Sequence, residues 1–393
     1  MVQRESIEYF QTFFKVSQAI LSFLSLQDIL DFLVKQTVEA LGLKAGSLRL
    51  VDESTNRLEL VAAYRLSKDY LSKGPLLTDQ SIPDVMKGKV VVIKHASTDQ
   101  RIQYRTEKVK EGIDTVISAP VMSKEKVIGV LRLYSEGPRD FAPEEIEFIS
   151  ALAEMGGLAI INAKIYEDEG VRLSQILTEV GVDALEETEP PHHRMKPFAA
   201  EPIDPSKSLE YFRLLHMIGK ALLSTLDSRQ VINLIIHKII ETMNVKACSI
   251  RLVNETTREL EMIASNGLSE DYLRKGPLHI DRSIRTALEG HPVFILDATT
   301  DKRIEYPAEK IKEGIASILS LPITARDRVI GVLRLYTGEP RQYSRQEVAF
   351  LSAVAEIAGI VIMNAKLYEK THYNLMFWQA TLEYLGFTGD QKK

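Results

Sequence analysis

The chain has 393 residues, 45% hydrophobic and 26% charged, with a formal net charge of −5. That is an ordinary globular composition, long enough for two domains, and it gives no sign of the clustered Lys and Arg that nucleic-acid phosphates demand. One cysteine, Cys248, excludes a disulfide framework and a Cys-rich metal site, and fits a reducing cytosol.

The opening stretch MVQRESIEYFQTFFKVSQ reads as helix. Charge interrupts its apolar residues, so neither a signal peptide nor a membrane span is expected. A second helix is announced by Ser25 with Asp28 three residues on, a capping-box pattern. SLRLVD and RLELVAAY alternate apolar and polar residues around ESTN and predict a hairpin turning near Ser54. That turn sets Leu50 opposite Leu58, Leu48 opposite Leu60, and Arg49 opposite Glu59.

An irregular region follows, with SKGPL, a short helix near Ser81–Lys87 and a strand at Val90–Ile93. DQRIQYRTEKVKEGI has helical spacing, with Asp99 as its N-cap and Gly112 as its C-terminal cap. Its charges read as a solvated face. VISAPVM and KVIGVLRLY predict a second hairpin. A long helix then runs from about Pro143 to at least Tyr166, with Glu144 and Glu145 complementing its dipole.

All of this is then written again. VIGVLRLY at Val127–Tyr134 returns unchanged at Val329–Tyr336, an offset of 202 residues. The same offset superposes EGI at Glu111 on Glu313, KGPL at Lys73 on Lys275, and EYF at Glu8 on Glu210, with no gap. Ser25 and Asp28 become Asp227 and Gln230, so the helix-start signal survives a change of letters. The expected organisation is a domain over 1–170, a helical extension and Pro-rich linker over 171–207, a second domain over 208–372, and a helical tail over 373–393. Helices at both ends of each copy, with antiparallel hairpins between them, predict an α+β fold.

The order SLRLVD, LSKDYLSKGP, DQRIQYRTEKVKEGI, SAPV, VIGVLRLYS and FAPEEIEFISALAEMGGLAIINAKIYE resembles the GAF domain family. The second copy, with NGLSEDYLRKGPL and DATTDKRIEYPAEKIKEGI, resembles it more closely, and together the two cover nearly all of the chain. The resemblance implies two PAS-like domains, each a six-stranded antiparallel sheet. Terminal helices would lie on one face and a small-molecule pocket on the other. It also implies ligand sensing, signalling through the terminal helices, and dimerisation.

Within VIGVLRLY, alternation puts Val127, Gly129, Leu131 and Leu133 on one face. Ile128, Val130, Arg132 and Tyr134 take the other, and the missing side chain at Gly129 would admit a helix. Arginine is the odd letter in so apolar a strand. Arg132 recurs as Arg334, and Arg49 as Arg251. The topology implied by the resemblance sets these strands side by side, so each copy would present two guanidinium groups to an anionic ligand, a carboxylate or phosphate. Tyr134 and Tyr336 share that face, and Tyr104 and Tyr306 would cover the pocket mouth. Against this stand structural readings: cross-strand ion pairs of Arg49 with Glu59 and Arg251 with Glu261, and tyrosines that staple a helix to the sheet.

Other chemistries are set aside. Cyclic-nucleotide-binding members carry Asn-Lys, then Phe, three spacers and Asp-Glu; here Phe141 precedes Glu145 and Ile146, and Tyr343 precedes Glu347 and Val348. Cys248 lies on a first strand, where a bilin attachment cysteine is not expected, and the several cysteines of the family's methionine sulfoxide reductases are missing. His192 and His193 lack a third ligand at useful spacing, so no metal is expected. No P-loop, Gly-x-Ser-x-Gly or His-Glu-x-x-His is present, and no enzyme activity is expected.

The closing helices carry long apolar stripes. Phe350, Val354, Ile357, Val361, Tyr368, Leu375, Trp378, Leu382 and Leu385 fall on steps of three and four, filled in by Asn364 and Thr371. Phe148 to Val180 repeat the pattern, broken at Glu169 beside Gly170. The sequence therefore predicts a cytoplasmic, bacterial, tandem-GAF regulatory protein. It would bind an unidentified small molecule, form a homodimer and act on a separate output protein, without contacting nucleic acid or membrane. A ligand-free scaffold for protein assembly is the other reading.

Overall fold

The computed structural model describes residues 25–180 and 205–384, apart from 82, 124, 225, 226, 255, 258, 276, 277, 280, 281, 326 and 327, and several positions between 8 and 19. Side chains along the two closing helices are described as far as residues 163 and 366. The linker 181–204, the tail from 385 and the distal stripe residues, including Asn162, Asn364 and Trp378, lie outside them.

The first domain opens with α1 (Leu26–Ala40), whose cap Ser25 accepts a hydrogen bond from the Asp28 N–H at 3.1 Å. Its buried residues Ile29, Leu30, Leu33, Val34, Thr37 and Val38 form one stripe. Strands β1 (Ala45–Asp52) and β2 (Arg57–Tyr64) form the first hairpin. The short helices α2 (Lys68–Leu71) and α3 (Thr78–Ser81) follow, then a single 3-10 turn at Val85–Lys87, β3 (Val91–Ile93) and α4 (Arg105–Glu111). Strands β4 (Thr115–Ser123) and β5 (Lys126–Ser135) make the second hairpin, and α5 (Pro143–Val180) closes the domain, its backbone helical through Gly170.

The second domain repeats this order. It runs α6 (Pro205–Ser224), α7 (Ser228–Met243), β6 (Ala247–Val253), β7 (Glu259–Asn266), α8 (Glu270–Leu273), β8 (Leu278–His279), α9 (Arg282–Leu288), β9 (Val293–Ile295), α10 (Pro307–Glu313), β10 (Ser317–Ala325), β11 (Arg328–Thr337) and α11 (Arg345–Tyr384). Asp227 caps α7 through hydrogen bonds from the Arg229 and Gln230 N–H groups, as the sequence anticipates.

Both sheets are antiparallel, with strand orders β2-β1-β5-β4-β3 and β8-β7-β6-β11-β10-β9. The second has the six strands expected and the first has five. Where β8 pairs with β7, the first domain forms a single bridge, Arg57 with Leu77. The next residue, Thr78, turns away into α3, its N–H donating to the Asn56 carbonyl at 3.2 Å, so the ladder stops.

One face of each sheet is covered by helices, and the apolar cores under them merge. Tyr9 stacks on Phe148 (4.4 Å between ring centroids), and Tyr211 stacks on Phe350 in the second domain (4.2 Å). Phe212 then meets Phe13 edge-on at 5.5 Å and lies 6.0 Å from Phe148, stitching one domain to the other. Arg213 with Glu147 (3.3 Å) and His216 with Glu154 (2.9 Å) pair across the same α5–α6 seam. Arg345–Met363 is apolar enough to cross a membrane, but 78% of its most apolar window is buried inside the fold, as in a core helix.

Each hairpin carries a bulge that sequence alternation does not show. In the first, the Glu53–Asn56 loop centres the turn later than Ser54, so Arg49 faces Leu60 and Glu59 faces Leu50, and the register shifts again between Arg49 and Leu48. The expected Arg49–Glu59 pair is absent, and Arg251 likewise faces Met262, not Glu261. The extra residue Val61 acts only beyond Arg49, setting Leu48 opposite Ala62. In the second, the shift between Val121 and Met122 leaves Ile128 unpaired and packed on the helix-side core, off the face expected for it.

Gly129 does not admit a helix. A Cβ there would lie 2.5 Å from the Arg49 carbonyl oxygen, so the glycine makes room for the neighbouring strand's backbone. The close helix–sheet approach is made by the helix's own glycines. A Cβ on Gly157 would lie 2.2 Å from the Met122 carbonyl oxygen, and one on Gly359 would lie 2.1 Å from that of Thr324.

Candidate functional site

Opposite the helices, each sheet carries two small apolar clusters. In the first domain one gathers Ala45, Tyr70, Ile93, Ile113 and Tyr134, and the other Leu58, Leu76, Val85 and Val130. Arg132 stands between Val130 and Tyr134 on β5, so the strand carries a guanidinium across the gap between the clusters. Arg49 reaches the same face from β1. Leu48 and Leu50 on either side of it point to the helix-side core.

Both arginines are buried. Arg49 donates through Nη1 to the Leu58 carbonyl at 3.1 Å, and Arg251 to the Leu260 carbonyl at 3.2 Å. The Nε atoms of Arg49 and Arg251 are buried with no hydrogen-bond partner among the described residues. Arg334, 1% exposed, donates through Nε to the Ser320 hydroxyl at 3.1 Å. Burial, the first cause, lowers the pKa of Arg132 and of Arg251. For Arg49, Arg251 and Arg334, no carboxylate lies within ion-pair distance among the described residues.

Tyr134 lies beneath Tyr70, edge-on at 6.1 Å, and shares a 3.0 Å hydrogen bond with the Ser47 hydroxyl. Tyr336, Tyr272 and Ser249 repeat this at 6.4 Å and 3.0 Å. Burial raises the pKa of both upper tyrosines, Tyr70 and Tyr272, so they stay neutral donors at physiological pH.

Tyr104 is half-buried. It sits at positive φ (58°) just before α4, and its hydroxyl donates to the Pro75 carbonyl at 3.0 Å. It staples α4 to the KGPL segment and packs against the Leu58–Val130 cluster on the sheet, as Tyr306 packs against Leu260 and Val332. Tyr306 adopts the same backbone (φ 56°) before α10. Asp99 is not the cap of this helix: its carboxylate accepts the Arg101 N–H at 2.9 Å and pairs with the Arg101 guanidinium at 2.6 Å. Gly112, at φ 70°, does end it.

The left-handed turn has a second effect. It rotates α4 so that Lys108, assigned by charge pattern to a solvated face, is 1% exposed, as is Lys310. Lys108 donates to the Gln103 carbonyl at 3.0 Å and lies 5.8 Å from the Tyr70 ring centroid. Lys73 places its ammonium 3.3 Å from the same centroid and donates to the Tyr70 carbonyl at 2.9 Å. Lys275 repeats this over Tyr272, at 3.1 Å from the ring and 3.1 Å from the carbonyl.

Sequence reasoning therefore found two of four cations in each copy and missed Lys73, Lys108, Lys275 and Lys310. A signal existed: DYL, one variable residue and KGPL are kept in both copies, as is Lys108 in its helix. Burial first, then Arg49 and Arg132, push Lys73 down to about 7. Burial, then Arg132, Lys73 and Arg49, do the same to Lys108, and burial, Arg251, Lys310 and Arg334 to Lys275, each to about 7. Glu107 and Glu111 pull the other way on Lys73, but Glu111 is already held by the Ser67 N–H at 2.8 Å and by its hydroxyl. Two arginines and two lysines act on one another here, and the acids that act on Lys73 and Lys275 among the described residues are Glu107, Glu111 and Glu313.

Two features lie elsewhere. A cleft of about 400 Å³ runs on the helix side of the second domain, lined by Arg229, Ile232, Ile263 and Ile362 among others. Glu145 and Glu347, at the place of the cyclic-nucleotide pattern, serve the fold. Glu347 pairs with Arg341 at 2.8 Å, and Arg341 also donates to the Met243 carbonyl at the end of α7. No group of three or more His, Cys, Asp or Glu that could hold a metal occurs among the described residues.

The sequence model of the GAF domain matches residues 24–161 and 225–363. The chain is similar to the crystallised GAF domain of an Acinetobacter phosphoenolpyruvate-protein phosphotransferase, 26% identical over 39% of this chain and 92% of that one, TM-score 0.34. It is also similar to the GAF domain of the Coxiella burnetii phosphoenolpyruvate-protein phosphotransferase, 19% identical over 41% and 96%, TM-score 0.38.

Proposed function

Because the chain belongs to the GAF domain family, carrying two copies in tandem, we propose that it is a regulatory sensor whose domains bind a small anionic molecule on the sheet face opposite the helices. The observation that carries this is the fourfold cluster of Arg49, Arg132, Lys73 and Lys108, repeated as Arg251, Arg334, Lys275 and Lys310. A purely architectural domain gains nothing by burying like charges together, since each costs desolvation and repels the others. An anion reverses both terms.

The signal leaves through the helices. Each sheet is covered by α5 or α11, and the Phe13–Phe212–Phe148 seam joins the two helical layers. A shift in one sheet therefore reaches the other domain through contiguous packing. The output is a separate protein, and homodimerisation proceeds through the extended ends of α5 and α11.

The test is a thermal-shift screen of small anions against the full chain, run beside light scattering over a concentration series. Binding anions raise the melting temperature, and Arg334→Met abolishes the second domain's share of that rise. The variant's own melting temperature stays within a few degrees, since a roughly volume-matched change costs about 1 kcal/mol or less. If no anion shifts the wild type, or if Arg334→Met melts far lower with no binding to lose, the scaffold reading replaces this one. Scattering at a single chain mass would remove the dimer.

A further inference from the structure

The cleft on the helix side of the second domain lies across the sheet from the buried cations. It holds about 400 Å³, a volume typical of small-molecule sites, where the start of α7, the β6–β7 hairpin and α11 meet. Ile232, Leu252 and Ile362 are buried and make its floor. Ile263 is the unpaired residue of the β7 bulge and lies along the cleft, 42% exposed. Arg229, Asn233 and Lys366 are exposed, so polar groups form the rim. Neither Arg229 nor Lys366 has an ion pair among the described residues. Asp227, the nearest acid in sequence, is held as the cap of α7 by the Arg229 and Gln230 N–H groups.

The first domain fills the matching place differently. There Leu26 packs against the apolar core, and Gln27 reaches from α1 to the bulge, donating to the Val61 carbonyl at 2.7 Å. Asp31, one turn on, accepts from the Gln27 amide at 3.0 Å. The offset of 202 turns these three residues into Ser228, Arg229 and Asn233. A leucine side chain is removed, and no hydrogen bond joins Arg229 to Ile263 among the described residues. The rim becomes two charges more positive, one from Gln to Arg and one from Asp to Asn. All three changes open an apolar cleft and favour a negative occupant.

We propose that this cleft binds a single-chain amphiphilic carboxylate, its chain on the isoleucine floor and its head at Arg229 and Lys366. The chain then carries one such site, in its second domain only. This site is separate from the anion-sensor reading and does not rest on it. Burying the ligand's chain against Ile232, Leu252, Ile263 and Ile362 gains about fourfold in affinity for each methylene taken from water. A monoanionic head suits exposed cations, which stay hydrated and add a modest charge-assisted gain. Such an occupant touches α7, β7 and α11 together.

The experiment is isothermal titration of the full chain with octanoate, decanoate and dodecanoate below their micelle-forming concentrations, beside acetate and decanol. One site per chain is expected, with affinity rising about fourfold per methylene and both acetate and decanol weaker than decanoate. Arg229→Gln with Lys366→Gln weakens decanoate about fivefold or more and leaves decanol unchanged. Ser228→Leu with Arg229→Gln and Asn233→Asp writes the first domain's residues into the second and abolishes binding. None of these positions is buried, so melting temperatures stay within a few degrees of wild type.

Absence of carboxylate binding, affinity indifferent to chain length or to both variants, or two equal sites per chain overturns the proposal. If the variants change the mass seen by light scattering while decanoate affinity does not move, the cleft is a contact between copies and the proposal falls. Its failure leaves the anion screen untouched, and a failed anion screen leaves this site standing, because the two sets of probes address opposite faces of the sheet.

Discussion

Two adjacent glycines in α5 should respond oppositely to the same methyl group. A Cβ at Gly157 would lie 2.2 Å from the Met122 carbonyl oxygen, more than 1 Å inside the ~3.3–3.6 Å at which such carbons and oxygens meet. The obstacle is backbone at a bulge, so the helix must lift off the sheet, loosening Phe148, Leu152 and Met155 beneath it. Overpacking of this kind costs about 1–3 kcal/mol. Rigid backbone on both sides puts Gly157→Ala toward the upper end. Replacing a mid-helix glycine returns about 1 kcal/mol, leaving a net loss of about 2 kcal/mol. At Gly156 the added carbon would meet only the Leu33 and Leu48 methyls, at 3.4 and 3.5 Å, which is ordinary contact. Here the helix-propensity gain stands nearly alone, about 0.5–1 kcal/mol. The second domain supports the contrast, because the position matching Gly156 is already Ala358, fully buried, while Gly359 is kept. Thermal melts followed by far-UV circular dichroism, with urea midpoints as a check, should place Gly157→Ala about 2–4 °C below wild type, the two domains melting together, and Gly156→Ala slightly above it. Gly359→Ala should behave like Gly157→Ala. A Gly157→Ala protein as stable as wild type would show that helix and sheet separate freely, and the argument from contact distance would fail.

Stability should also rise with pH above neutrality. Lys73, Lys108 and Lys275 have pKa values lowered from 10.5 to about 7, so between those limits the unfolded chain binds more protons than the folded one. Lys108, fully buried, contributes a slope of up to about 1.4 kcal/mol per pH unit, and solvent screening makes the slope smaller for the half-buried Lys73 and Lys275. Urea midpoints taken across the window should climb, and Lys108→Met should flatten the climb. A midpoint that fell or stayed level would contradict the burial of these lysines. At the interdomain seam, Phe212→Ala should cost about 3–5 kcal/mol, the usual price of emptying a buried aromatic site. Calorimetry should show one transition for the wild type and two for the variant; a single transition in both would mean that the Phe13–Phe212–Phe148 contacts do not couple the domains.

Much of this protein is settled by short-range chemistry and is therefore legible in the sequence. Ser25 and Asp227 cap their helices, Gly112 and Gly314 end theirs in the left-handed region, and both hairpins fall where alternation places them. The tandem repeat is equally plain, because an ungapped offset needs no structure to be seen. Arg132 and Arg334 are legible as site candidates for a related reason: a guanidinium in an apolar strand has to be accommodated somewhere. What the sequence leaves open depends on contacts between distant segments. A turn centred later than Ser54 sets Arg49 opposite Leu60 instead of Glu59, an extra residue at Val61 then sets Leu48 opposite Ala62, and another at Ile128 sends that side chain to the helix side. Local alternation carries no mark of either bulge. Lys108 looks like any surface lysine until the turn at Tyr104 rolls its helix inward, and Lys73 joins the cluster only because its loop folds over Tyr70. The sixth strand is lost in the first domain where Thr78 bonds back to Asn56 and starts a helix. Capping and periodicity act over a turn or two of chain, so residue order determines them. Register, burial and the meeting of four like charges are set by which distant segments pack together, and tertiary structure alone decides that.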